Sequence, residues 1–76
     1  MTYTTFKEKL EATETYISFP HVVRKITSSR NNVKHLLRGY LVAKNLGFKK
    51  FEKEFNYSSR NLLLIKEIID HESTRL

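Results

Sequence analysis

Apolar side chains return at intervals of three and four along nearly the whole chain, and where the pattern lapses a proline, a glycine or a run of hydroxyl residues takes over. Tyr3, Phe6, Leu10, Thr13 and Ile17 form one stripe, with Lys7, Glu8, Glu11 and Glu14 turned away from it. Thr5-Phe6-Lys7-Glu8 matches a capping box, in which hydroxyl and carboxylate satisfy two backbone N–H groups at a helix start. A first helix of structural purpose is therefore expected over residues 5–17. Ser18 and Pro20 open a second, short helix, because proline's missing N–H is harmless only in a first turn. It would bury Phe19, Val22, Val23 and Ile26, after which Thr27-Ser28-Ser29 turns the chain and caps the next helix.

From Arg30 to about Leu46 the apolar positions Val33, Leu36, Leu37, Tyr40 and Leu41 recur at helical spacing, while Asn31, Lys34, His35 and Arg38 take the opposite face. Gly39 inside this helix costs roughly 1 kcal/mol against alanine, so either another backbone approaches there or the helix is locally weak. Gly47 suits the left-handed residue that ends a helix. Phe48, Phe51 and Phe55 then read as core-facing residues of a fourth helix, Asn56 and Tyr57 as a turn, and Ser58 or Ser59 as the cap of a last one. Within residues 62–69 that helix carries Leu62, Leu63, Leu64, Ile65, Ile68 and Ile69, too many for one stripe. Some of them must meet a second neighbour, and Leu63, Leu64 and Ile68 are the expected protein or dimer interface. The polar chain after Asp70 is expected to fray, with residues 73–76 as a loose tail. The expected fold is all-α, one domain over residues 1–76, a compact bundle of four to five short helices.

Charge adds the next constraint. The chain of 76 residues has a net charge of +6, but residues 1–18 sum to −1 and residues 51–76 to −1. Residues 19–50 hold eight Lys or Arg and no carboxylate, a local sum of +8. Such concentration is what a protein lying on phosphates needs, although anionic lipid or an acidic protein would ask for the same field. Arg24, Lys25, Arg38, Lys44, Lys49 and Lys50 are the candidate phosphate contacts, and Ser29, Arg30, Asn31, Lys34 and His35 the candidate base-reading residues.

The order short helix, Ser-rich turn, longer basic helix over residues 19–46 resembles the helix-turn-helix class of DNA-binding proteins. No narrower family is indicated. A faint echo comes about 30 residues on, where Phe48 to Phe55 precedes Ser58-Ser59-Arg60-Asn61 much as Phe19 to Ile26 precedes Ser28-Ser29-Arg30-Asn31. In the first frame Val22, Ile26, Val33 and Leu36 fill the apolar positions of the class, but Val23 stands where a small residue is usual and Thr27 where glycine is. In the second, over residues 48–72, Phe51, Phe55, Tyr57, Leu62 and Ile65 fit better and only Glu52 is misplaced. The groove-facing positions separate the frames. They fall on Ser29, Arg30, Asn31, Lys34, His35 and Arg38 in the first, all able to donate to a phosphate or a base edge. In the second they fall on Ser58, Ser59, Arg60, Leu63, Leu64 and Glu67, a poor surface for a polyanion. The resemblance thus implies sequence-specific binding of double-stranded DNA, by a transcriptional or replication regulator acting as a homodimer.

Other chemistries find little footing. His21, His35 and His71 fall in separate elements with no cysteine to join them, so no metal site is expected. With only Gly39 and Gly47 there is no phosphate-cradling loop, and Asp70-His71-Glu72 are neighbours that point different ways on a helix end. No enzyme, cofactor or small-molecule substrate is expected. No run approaches the roughly 18 apolar residues of a bilayer span, and the N-terminal residues lack a secretory pattern, so the expected location is the cytoplasm. A domain this small buries only about 60% of its unfolded surface, which is a further reason to expect a dimer. Two other functions fit the same residues: a helical adaptor or inhibitor that binds a protein, and RNA or anionic-membrane binding through the basic helix.

Overall fold

Thr2 rather than Thr5 opens the chain's first helix. In the computed structural model, which describes residues 2–73, the Thr5 N–H donates to Thr2 Oγ1 at 3.2 Å and α1 runs Tyr3–Glu11. The capping box is not formed. The helix expected over residues 5–17 also breaks in the middle, because Thr13 leaves helical geometry (φ −72°, ψ 154°). Its hydroxyl donates to the Leu10 carbonyl at 2.8 Å and accepts the Tyr16 N–H at 3.2 Å, so one buried side chain both ends α1 and caps α2, Glu14–Ser18. The break carries Ile17 out of the stripe: Phe6, Leu10 and Thr13 are buried as expected, but Ile17 is 71% exposed.

α3, Pro20–Thr27, starts on proline as expected. Phe19 caps it without a side-chain bond and is 61% exposed, which corrects its place in the core; Val23 and Thr27 are the buried positions, with Val22 and Ile26 half-buried. Ser28 and Ser29 separate it from α4, Arg30–Leu46, whose first turn is capped by Ser29 Oγ accepting the Asn32 N–H at 3.4 Å. Gly47 ends α4 and starts α5, Phe48–Glu54, in a single residue at φ 94°, a conformation that favours glycine. Ser58 Oγ accepts the Asn61 N–H at 3.3 Å, and α6 runs Ser59–Ser73. The helix thus continues past Asp70, where fraying was expected; residues 74–76 of the expected loose tail lie outside the described residues.

α4 is the helix the others are built around, packing on α1, α3, α5 and α6. Its inward side supplies Val33, Leu36, Tyr40 and Ala43 to a core completed by Phe6, Leu10, Val23, Phe51, Leu64, Ile65 and Ile68. Leu64 and Ile68 are 1% and 3% exposed. They serve the chain's own core and are closed to a partner, so the expected interface of Leu63, Leu64 and Ile68 reduces to Leu63, which is 49% exposed. Of the phenylalanines on α5, only Phe51 is fully buried; Phe48 is half-buried and Phe55, at the helix end, is 40% exposed.

What approaches Gly39 is a side chain, not a backbone. A Cβ there would stand 2.8 Å from Tyr57 Cε2 and Cζ and 3.0 Å from Ile65 Cδ1. The missing side chain lets the Tyr57 ring cross α4 so that its hydroxyl donates to the His35 carbonyl at 2.9 Å. The ring also stacks on His35 (4.1 Å between centroids, 6° between planes) and tilts against Phe51. This pins the segment between α5 and α6 onto the middle of α4.

Candidate nucleic-acid interface

Because α4 buries Val33, Leu36, Tyr40 and Ala43, the helical period leaves one outward arc on which Arg30, Lys34 and Arg38 repeat every four residues. All are exposed, as are Asn31 and His35 beside them. At 1.5 Å per residue the basic row spans about 12 Å along the helix. The arc holds no carboxylate, and neither α3 nor the rest of α4 supplies one. Cations in a row repel one another, so this arrangement stores an electrostatic cost that an anionic ligand relieves.

Several of these side chains are held in place. The Arg30 guanidinium lies 5.0 Å from the centroid of the Tyr3 ring on α1, a cation–π contact that restrains it near the start of α4. His35 is fixed flat against Tyr57, leaving its ring edge to carry any polar contact. Burial raises the Tyr57 hydroxyl above its ordinary pKa, against a smaller lowering by the Arg38 charge, which places that guanidinium's field over the same spot. Ser29 is half-buried and its oxygen accepts the cap bond, which leaves its hydroxyl hydrogen free to donate.

The remaining predicted cations divide. Lys25 is exposed on α3, and Lys49 and Lys50 on α5, the helices that precede and succeed α4. Arg24 is exposed, with its Nε donating to the Tyr16 hydroxyl at 3.4 Å. Lys44 does not belong to the arc. One turn beyond Tyr40, it turns toward α6, where its Nζ lies 3.4 Å from Glu72 Oε2 and 5.4 Å from the Tyr40 ring centroid. The Tyr40 hydroxyl donates to the other Glu72 oxygen. Burial pushes the Glu72 carboxyl up, but the Tyr40 hydrogen bond and the Lys44 and Lys9 charges outweigh it and hold the carboxyl below its ordinary range. Lys44 thus has a carboxylate partner within the chain, which sets it apart from the cations of the arc, although its side chain is still half exposed.

Periodicity did not single out Leu41 and Asn45 for this surface. Leu41, expected in the core, is 48% exposed, and with Asn45 it continues the arc one and two turns beyond Arg38. The signal lay in the period itself, since positions 34, 38, 41 and 45 share one side of a helix. Glu8, Glu14, Glu67, Asp70 and Glu72, with Lys9 and His71 among them, line a groove of about 550 Å³ between α1, α2 and α6, so carboxylates from both ends of the chain gather in a groove that no residue of α3 or α4 lines. No described helix is long and apolar enough to cross a membrane. No family model, curated protein or solved structure matches the chain.

Proposed function

We propose that this protein binds double-stranded DNA through the outward arc of α4, as a small regulator of transcription or replication. The observation that carries the reading is that Arg30, Lys34 and Arg38 project from one exposed helix face with no carboxylate on it. In this reading α3 and α4 act as a helix-turn-helix pair, with α4 entering the major groove by its N-terminal half. Arg30, steadied by Tyr3, pairs with guanine and Asn31 with adenine. Lys34 and Arg38, joined by Arg24, Lys25, Lys49 and Lys50, contact phosphates and set the register. His35 supplies a fixed ring edge between the two groups.

Titration of random and selected duplexes across a salt series tests this. The expected result is a log–log fall in affinity with salt, because each phosphate contact releases counterions. Arg30→Ala should flatten the preference for selected over random duplex, whereas Lys34→Ala should weaken both alike. Absence of duplex binding at low salt refutes the proposal. A second reading, a protein-binding module, draws on Ile17 and Phe19, which are 71% and 61% exposed at the junction of α2 and α3. Substituting both with serine should leave DNA titrations unchanged and would abolish only a protein contact.

A further inference from the structure

α5 and α6 diverge enough to leave a shallow groove of about 340 Å³, lined by Phe48 and Glu52 on α5 and by Ser59, Leu62, Leu63 and Lys66 on α6. Phe48 and Leu62 are half-buried, whereas Leu63 stands 49% exposed beside them. Along α6 the outward stripe reads Ser59, Leu63, Lys66, Asp70, so Leu63 is a lone apolar projection in a polar row. Glu52 and Lys66 border the same groove with opposite charge, yet neither forms an ion pair among the described residues.

We infer that this groove is the contact between two copies of the chain, related by a two-fold axis. Such a contact is isologous: whatever projects from one copy must find its recess on the same patch of the other. The α5–α6 face has both halves. Leu63 of each copy enters the other's Phe48–Leu62 recess, and Lys66 of each reaches the other's Glu52, so that charges unpaired in one chain are paired twice in the dimer. A patch bordered by one sign of charge would repel its own copy, whereas one bordered by both signs is complementary to its own two-fold image. The contact uses no residue of α4, so the basic arc of each copy stays free. It does not depend on the DNA reading, since its readout is molecular mass.

Sedimentation equilibrium over a protein concentration series tests it, on the full chain without DNA. The mass should rise from 9.0 kDa to twice that value with increasing concentration. Leu63→Glu, at an exposed position and with an unchanged far-ultraviolet circular dichroism spectrum, should remain at the monomer mass. Glu52→Lys and Lys66→Glu should each raise the dimer Kd by about tenfold, because each change acts twice across the axis. The double variant, Glu52→Lys with Lys66→Glu, should recover most of that loss, a result that a merely structural role for either residue would not give. A chain that stays monomeric throughout, a dimer indifferent to Leu63→Glu, or a double variant no better than the single ones would each overturn the inference.

Discussion

Gly39→Ala should destabilise the protein although alanine is the better helix former. In an exposed helix the change gains about 1 kcal/mol. Here the new methyl would stand 2.8 Å from two Tyr57 ring atoms. That ring cannot simply swing away, because it stacks on His35, packs on Phe51 and donates to the His35 carbonyl. Overpacking of this kind costs about 1–3 kcal/mol and a lost hydrogen bond about 0.5–1.5. Subtracting the propensity gain leaves a net loss of about 0.5–3.5 kcal/mol, and the central value of about 2 kcal/mol corresponds to roughly 8–16 °C in Tm for a domain of this size. In a Tyr57→Ala background the two closest contacts are gone, and Ile65 Cδ1, 3.0 Å away, is the end of a side chain that can shift into the space the ring leaves. Gly39→Ala should there become neutral or stabilising. Thermal and urea unfolding followed by circular dichroism at the helix band measures all four corners of the cycle. If Gly39→Ala stabilises the wild-type background, or costs the same with and without Tyr57, then Tyr57 is not what the glycine accommodates.

Glu72→Gln should lower stability near neutral pH by about 0.5–1 kcal/mol, a modest value because the pair with Lys44 is partly exposed. Since the folded carboxyl is held below its ordinary pKa, its contribution is complete above the ordinary carboxylate range and is lost as pH falls through the lowered folded value. Urea midpoints of wild type and Glu72→Gln should therefore converge in acid, and a gap that persists there would refute the assignment. Thr13→Val keeps the shape but removes the bonds to Leu10 and Tyr16, and should cost about 1–2 kcal/mol in the same unfolding assay; an unchanged midpoint would show that the break between α1 and α2 does not need them. Lys34→Ala and Lys44→Ala remove the same charge from two directions about 80° apart around α4, one in the arc and one turned toward Glu72. Only the first should lower the salt slope of duplex binding, by about 0.9, and equal effects would mean that overall charge rather than the arc holds the ligand.

How much of the fold and the basic surface was legible in the sequence depended on whether the deciding contact was local. α4 could be bounded at both ends because Ser29 and Gly47 act on the backbone beside them. Its outward polar face came from period alone. The N-terminal region could not be resolved in the same way: Thr5 with Glu8 imitates a capping box, and Thr2 carries an equally good hydroxyl three residues earlier. Thr13 is tolerated inside helices, so nothing local announces that it will turn its hydroxyl on Leu10 and Tyr16, and the exposure of Ile17 and Phe19 results from that turn. Gly39 signalled a close approach, but Tyr57 lies too far along the chain for periodicity to name it. Lys44 was partly readable, since one turn beyond Tyr40 it had to share that residue's side of the helix. Its partner Glu72 closes a contact across 28 residues that no spacing rule supplies.

Phosphate and base binding by the outward arc of α4 is the central claim. The most direct test is the salt dependence of duplex DNA affinity for wild type and for the triple variant Arg30→Ala, Lys34→Ala, Arg38→Ala, with circular dichroism to show that both are folded. Loss of the Lys34 and Arg38 phosphate contacts should lower the slope of log K against log salt by about 1.8, and loss of Arg30 should weaken the preference between duplexes, leaving only what Asn31 reads. A triple variant that binds DNA with the wild-type slope would contradict the claim.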